Sequence, residues 1–309
     1  MTINIEEWYR NNVGLYGRYT NEIKDLIEGL LLSSGIQVHS VTSRLKTLRS
    51  CIEKYDRKEY KNVTSDLTDL VGIRIIVYTL GDVVKAAELI QTEFEVDHTN
   101  SIDKSKIIES DRVGYLSVHY IAQLDRNRAI LTEYKSYQDL KCEIQIRTML
   151  QHAWAEIEHD RNYKFHGVLP DPIKRRFYLL AGALEIVDRE FQNLSYEIDK
   201  HKEQVIQETQ KGNFAFSIDT TSLVQFIAKK FVQLNISQSL NGNDESIINE
   251  LEQEGIVTLK DLDNVLTDDI IQRVRNIHCT IEHRSNYELL LKDIIKFIRE
   301  NKFKFGKKP

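Results

Sequence analysis

Residues 141–147 read KCEIQIR and residues 70–79 read LVGIRIIVYT. The first stretch alternates strictly, so Cys142, Ile144 and Ile146 fall on one face of a strand and Lys141, Glu143, Gln145 and Arg147 on the other. The exposed row holds a carboxylate, an amide and a guanidinium at two-residue spacing. Those groups can take a proton or hold a metal, fix a substrate and clamp phosphate, respectively. The second stretch is nearly continuous apolar sequence rich in β-branched residues, as expected of a strand covered on both faces. Between and beside them, Val83–Glu93 has a helical apolar stripe and Tyr115–Leu124 alternates as a strand. The order of strand, helix and further strands predicts an α+β fold with a mixed β-sheet flanked by helices.

Outward from this centre the pattern is helical. Residues 1–60 read as helices, one over Trp8–Leu32 and a second amphipathic one over about Val38–Tyr55. Thr148–Tyr163 is helical, Pro170 and Pro172 interrupt it, and a helix resumes over Ile173–Lys200. The spacing predicts a first domain over 1–200, a polar linker over 201–214 and an all-helical C-terminal module over 215–309. The module contains ELEQEGIVTLKDLDNVL, a helix–turn–helix rhythm, and is expected to control access to the cleft or to support a homo-oligomer.

Composition narrows the class. With 309 residues, 41% hydrophobic and 29% charged, the chain can bury a sizeable core in two domains. A net charge of −5 excludes a surface coated throughout by nucleic acid but leaves room for a local basic patch. Cys51, Cys142 and Cys279 are far apart and odd in number, so no disulfide framework or zinc ribbon is readable. MTINIEEWYRNN is not a signal peptide, and no apolar run reaches the ~18–20 residues that span a bilayer. The expectation is a cytoplasmic protein with no membrane partner.

Four polar clusters carry the chemistry. Arg44, Lys46 and Ser50 offer two cations and a hydroxyl suited to a polyphosphate. Asp69 precedes the apolar strand, where a carboxylate can hold Mg²⁺, and Gly72 permits close approach of a backbone or nucleotide. Arg74 interrupts the apolar run and needs an anionic or aromatic partner. Gly114-Tyr115-Leu-Ser117-Val-His119 opens the next strand, with Tyr115 able to stack on a base and Ser117 and His119 on one face. Finally, Glu143, Gln145 and Arg147 lead into a helix on which His152, Glu156 and His159 share a face.

These residues resemble RelA/SpoT-type alarmone synthetases. RLKTLRS at 44–50 is similar to the family's RxKxxxS signature, and DLVGIR, GYLSVHY and EIQIRT resemble its next three motifs in order, covering roughly residues 35–165. The resemblance implies a nucleotidyltransferase-like synthetase fold, either a small alarmone synthetase or a toxic relative. It implies transfer of the β,γ-pyrophosphoryl group of ATP to the 3′-hydroxyl of GDP or GTP, with Mg²⁺ as cofactor. Arg44, Lys46, Ser50 and Arg74 would then bind ATP, and Asp69 and Glu143 would be catalytic and hold the metal. Tyr115, His119, Gln145 and Arg147 would line the acceptor side. The family's basic segment before the acceptor strand is replaced by DKSKIIESDRVGY, where Lys104, Lys106 and Arg112 are interspersed with Asp103, Glu109 and Asp111. That departure keeps tRNA open as the acceptor, as in toxic family members, and a catalytically silent nucleotide-sensing protein is a third reading. The lone His159-Asp160 pair implies no alarmone hydrolysis.

Overall fold

Burial on alternate residues of one central strand organises the fold. In the computed structural model, which describes residues 4–58, 66–103, 117–164, 170–232, 236–237, 244–279 and 285–305, KCEIQIR forms this strand. The sheet has six strands. The outer strand β1 (Val38–Leu45) runs antiparallel to β2 (Val71–Val77). Strands β3 (Phe94–Val96) and β4 (Ile102–Asp103) both pair antiparallel with β5 (Val118–Leu124). Strand β6 (Cys142–Thr148) lies between β2, to which it is parallel, and β5, to which it is antiparallel. The sheet order is β1-β2-β6-β5-β3, a mixed sheet as predicted.

One face of the sheet is the core. Cys142, Ile144 and Ile146 join Ile73, Ile75, Val77, Val118 and Tyr120 against two helices. These are α1 (Ile5–Ser33), through Tyr19, Ile23 and Ile27, and the helix Leu80–Glu93, through Val83, Ala86 and Ile90. With α2 (Leu48–Lys58) preceding it, the latter is α3; Thr79 caps it by accepting from Asp82 N. Each fully buried isoleucine contributes about 1.5–3 kcal/mol relative to exposure. Tyr19, itself buried, donates its hydroxyl to the Leu140 carbonyl at 2.7 Å and so anchors α1 at the entry to β6.

A short helix α4 (Arg126–Ala129) follows β5, and β6 runs directly into α5 (Met149–Lys164). At that junction, buried Thr148 donates to Asp188 Oδ2 at 2.7 Å and accepts from Gln151 N at 3.1 Å. Asp188 belongs to α6 (Asp171–Lys211), and Gln192 one turn on accepts from Gly81 N. These contacts hold the first half of α6 to the end of the sheet.

The chain divides into two compact units, residues 1–195 and 196–309. The second has its own core, built by α7 (Thr220–Lys230), α8 (Asp244–Gln253), α9 (Leu259–Val265), α10 (Asp268–Cys279) and α11 (Tyr287–Phe305). Leu223, Phe226, Leu251, Leu262, Val274 and Leu290 are among its buried residues. Gly255 adopts φ 75° after α8, a left-handed conformation that glycine takes without a Cβ penalty. Among the described residues no helix is long and apolar enough to cross a membrane.

Three expectations are corrected. Val38–Leu45 is a strand rather than the start of a helix, because Val38, Val41 and Thr42 favour extended backbone and β2 offers an unpaired edge. Helix α2 begins only at Leu48, so Arg44 projects from a strand and Lys46 from the turn after it. The polar interval read as a linker over 201–214 stays helical through Lys211, its Lys and Glu residues being good helix formers with no breaker before Gly212. The C-terminal region is helical as expected, except for β7 (Ile236–Ser237) paired with β8 (Ser285–Asn286).

Two stability effects follow. Thr148→Val should lower the urea-unfolding free energy by about 1–3 kcal/mol, since a buried polar contact to Asp188 loses its donor; an unchanged midpoint would show the hydroxyl to be dispensable. Asp97 accepts from Lys141 Nζ at 2.8 Å and from Asn100, which hold its carboxyl at about 2, below the unfolded value of roughly 3.9. Its stabilisation is therefore complete above about pH 4 and lost as pH falls toward 2. An Asp97→Asn variant should be less stable than wild type at neutral pH, with the gap in denaturation midpoint closing over that interval.

Candidate active site

The face of the sheet opposite the core is polar, and cross-strand register brings its residues into rows. Arg44 stands opposite Gly72, which neighbours Glu143. Thr42 stands opposite Arg74, followed by Gln145 and then His119. Glu143, Gln145 and Arg147 therefore project together because their neighbours Ile144 and Ile146 point into the core.

Two cavities share Arg44. One, of about 460 Å³, is lined by Arg44, Lys46, Ser50, Lys54, Arg57 and Asp69 among others. The second, of about 480 Å³, lies over β1, β2 and β6 and is lined by Arg44, Gly72, Arg74, Gln145, Arg147 and the α5 residues Ala155, Glu156 and His159. In the first, Asp69 Oδ2 accepts from Lys46 Nζ at 2.6 Å and lies 2.7 Å from Lys54 Nζ. In the second, Arg74 Nη1 meets Glu156 Oε1 at 2.9 Å. The anionic partner that Arg74 needs thus comes from α5.

Glu143 and His119 form the central pair. His119 Nδ1 lies 3.2 Å from Glu143 Oε1, while its Nε2 lies 2.8 Å from Ser117 Oγ and 3.2 Å from Arg147 Nη2. Arginine has only donors, so Nε2 accepts from it and Nδ1–H donates to Glu143. Burial raises the Glu143 carboxyl, but the hydrogen bond and attraction of His119 and a hydrogen bond from Gln145 outweigh it. Asp69 pushes in the opposite direction, which places the two carboxylates within electrostatic reach. The net effect holds Glu143 below the usual glutamate range, ionised at neutral pH. Burial likewise raises Asp69, and Lys46 and Lys54 more than offset it. Burial followed by repulsion from Arg74 acts against the Arg147 charge. This crowding of Arg44, Arg74 and Arg147 favours an anionic occupant.

The carboxylates of this face offer oxygen donors for a divalent cation. Asp69 Oδ1 is buried without a hydrogen-bond partner, an acceptor left open in the cationic cavity. Among the described residues, no three or more His, Cys, Asp or Glu side chains are grouped to hold a metal by themselves. One or two carboxylates that share an ion with substrate phosphates and water suit Mg²⁺, so these residues fit it.

Of the residues predicted from sequence, Arg44, Lys46, Ser50 and Asp69 gather in one cavity. Arg74, Gln145 and Arg147 gather with Arg44 in the other, and His119 pairs with Glu143. Tyr115, Lys104, Lys106 and Arg112 lie outside the described residues. Sequence reading missed Lys54 and Arg57. Their signal was the i, i+4, i+7 spacing of Ser50, Lys54 and Arg57, which places them on one face of α2.

Residues 43–168 match the family described as the region found in RelA / SpoT proteins. GTP pyrophosphokinase YjbM of Bacillus subtilis (strain 168) is 28% identical over 164 residues, 53% of this chain and 74% of that protein. The crystal structure of small alarmone synthetase 1 from Bacillus subtilis matches with a TM-score of 0.52 at 26% identity, covering 63% of this chain and 99% of that one. The structure of that enzyme bound to its product pppGpp matches with a TM-score of 0.52 at 27% identity, covering 62% and 98%.

Gly72 is the point at which this arrangement is most easily disturbed. A Cβ there would stand 3.3 Å from both Cγ and Nε of Arg44, so the arginine side chain would have to shift by about a few tenths of an ångström. Gly72→Ala should leave the thermal midpoint nearly unchanged, because the displaced group is a flexible side chain. It should raise the dissociation constant for ATP, measured by calorimetry, by about tenfold, the loss of one charge-assisted contact. Unaltered ATP binding would remove Arg44 from the proposed pocket.

Proposed function

We propose that this chain, which carries a RelA/SpoT region over residues 43–168, is an ATP-dependent pyrophosphokinase acting on the 3′-hydroxyl of GDP or GTP. The observation that carries the reading is the pairing of ionised Glu143 with His119 on the same sheet face as the cationic cavity around Asp69. YjbM is named a GTP pyrophosphokinase, and small alarmone synthetase 1 has been crystallised with its product pppGpp; both support extending the activity to this chain.

In this reading Lys46, Lys54, Arg57 and Ser50 hold the ATP triphosphate, and Arg44 and Arg74 flank the cavity that takes its base. Mg²⁺ held by Asp69, with Glu143 in reach, would supply charge neutralisation at the phosphate oxygens. Glu143 accepts the hydrogen bond of the acceptor 3′-hydroxyl and receives its proton as the oxygen attacks the β-phosphorus. The bond from the β-phosphorus to the oxygen bridging it to the α-phosphate breaks, so AMP leaves and the diphosphoryl group stays on the acceptor. His119 holds the Glu143 carboxylate in orientation through Nδ1–H. Gln145 and Arg147 order the cleft, and most of the rate comes from in-line positioning and charge stabilisation. Tyr115 completes the proposal by stacking on the acceptor base, with Lys104, Lys106 and Arg112 meeting its phosphates.

The competing reading keeps the chemistry and changes the acceptor to the 3′-terminal adenosine of tRNA. It is motivated by Asp103, Glu109 and Asp111 among the basic residues before Tyr115, which weaken a site for the acceptor's 5′-phosphates. Purified protein should be given γ-labelled ATP with Mg²⁺ and, separately, GDP, GTP, ATP or deacylated tRNA. Label on GDP or GTP is expected; label on tRNA alone would replace the first reading by the second. Glu143→Gln should lower turnover by about 10²–10⁴-fold. A Glu143→Gln enzyme of full activity would sink the role given to the carboxylate, and no transfer to any acceptor would favour a nucleotide-sensing protein.

A further inference from the structure

Lys46, the cation closest to Asp69, sits on neither a strand nor a helix. It lies in the two-residue turn between β1 and α2, where a backbone is ordinarily free to move. Both of its main-chain polar groups nevertheless have partners from elsewhere in the fold. Lys46 N donates to the Leu70 carbonyl at 2.8 Å. Its own carbonyl accepts from the Tyr9 hydroxyl of α1 at 2.9 Å. The Cys51 thiol, a weak donor, approaches the same oxygen only to 4.0 Å. Tyr9 is half-buried in the first turns of α1, and its surroundings keep that helix end from fraying. Trp8 packs on Tyr16 with ring centroids 5.9 Å apart, and Asn12 Nδ2 donates to the Trp8 carbonyl at 2.8 Å. Burial, followed by the nearby Cys51, pushes the Tyr9 hydroxyl above its ordinary value, so it keeps its proton at neutral pH.

The carbonyl that Tyr9 engages belongs to the peptide joining Lys46 to Thr47, and both walls of the cationic cavity diverge from that peptide. On one side Lys46 Nζ reaches Asp69 Oδ2 at 2.6 Å. On the other, Thr47 starts α2. Its carbonyl accepts from Cys51 N at 2.9 Å, and its hydroxyl donates to Ser50 Oγ at 3.1 Å. Ser50, Lys54 and Arg57 follow on the α2 face that lines the cavity. A rotation of this one peptide would therefore move Lys46 relative to the cations of α2. Charge-assisted contacts to phosphate depend on short distances and good alignment, so such a rotation weakens several of them together. Tyr9 does not itself line the cavity and acts at one remove.

We propose that Tyr9 is a positioning residue for the ATP triphosphate. Its hydroxyl fixes the Lys46–Thr47 peptide so that Lys46, Ser50, Lys54 and Arg57 converge on the phosphates. The inference rests on the ATP site assigned above. Tyr9→Phe keeps the ring and removes only the hydroxyl, so the circular dichroism spectrum should be unchanged. Its affinity for ATP, measured by calorimetry, should fall about tenfold, and KM for ATP should rise by a similar factor. Turnover at saturating ATP and KM for the acceptor should stay within about twofold of wild type. AMP, which has no β- or γ-phosphate, should bind both proteins equally. Tyr19→Phe is the control, because it loses a hydroxyl–carbonyl bond from the same helix to Leu140, which does not line the cavity. It should lower the thermal midpoint and leave ATP affinity unaltered. Unchanged ATP affinity in Tyr9→Phe would overturn the proposal. An equal loss of AMP affinity, or an equal loss of ATP affinity in Tyr19→Phe, would also overturn it, since the effect would then belong to α1 as a whole. A wild-type protein that bound neither ATP nor inorganic tripolyphosphate would overturn the ATP site itself, and this role with it.

Discussion

The period of two in β6 is the constraint on which the rest depends. Cys142, Ile144 and Ile146 are completely buried, and that burial fixes which face Glu143, Gln145 and Arg147 present. A slip of one residue against β2 would drive a carboxylate and a guanidinium into the core, and an unpaired buried charge costs several kcal/mol. The same register aligns Gly72 with Glu143 and Arg74 with Gln145. The polar row is thus held in place by residues buried on the opposite face.

On this face the charges are arranged in partial compensation. Lys46 and Lys54 answer Asp69, His119 answers Glu143, and Glu156 answers Arg74. Compensation lets a buried carboxylate stay ionised without unfolding the strand that bears it. It is incomplete on the cationic side, where Arg44, Arg57 and Arg147 border the cavities. An incoming polyphosphate would complete it. The orphaned Asp69 Oδ1 is the corresponding open acceptor on the anionic side.

Much of this was readable in sequence because β-branched runs and strict alternation report directly on sheet burial. Strands β2 and β6 and helix α3 follow from such local patterns, whereas the joint role expected of Arg44, Lys46, Asp69 and Arg74 rested on the family resemblance. Strand β1 was not readable from local pattern, because VHSVTSRL carries both β-branched residues and a helix-compatible apolar spacing. Only the free edge of β2, a partner some thirty residues away, decides between them. Lys54 escaped for a similar reason: its role appears only when α2 is set beside Asp69. Glu156 was placed correctly on an α5 face, but its partner Arg74 lies on a strand eighty residues earlier. Local period is visible in a sequence, whereas pairing across the fold is not.

The chemistry and the choice of acceptor are physically separable in this site. In the proposed reaction Glu143 and His119 would address a hydroxyl and its proton, and a ribose 3′-hydroxyl presents the same atoms whether it belongs to a mononucleotide or to the end of a tRNA. Selection must therefore come from groups that touch the base or the 5′-phosphates, which the proposal assigns to Tyr115, Lys104, Lys106 and Arg112. In the same proposal donor recognition would be separate again, since Arg44, Arg74 and Glu156 line the cavity over β1, β2 and β6. A change of acceptor can then proceed by substitution before β5 while β1, β2, β6 and α5 stay as they are. The acidic interruptions at Asp103, Glu109 and Asp111 fall in that segment before β5.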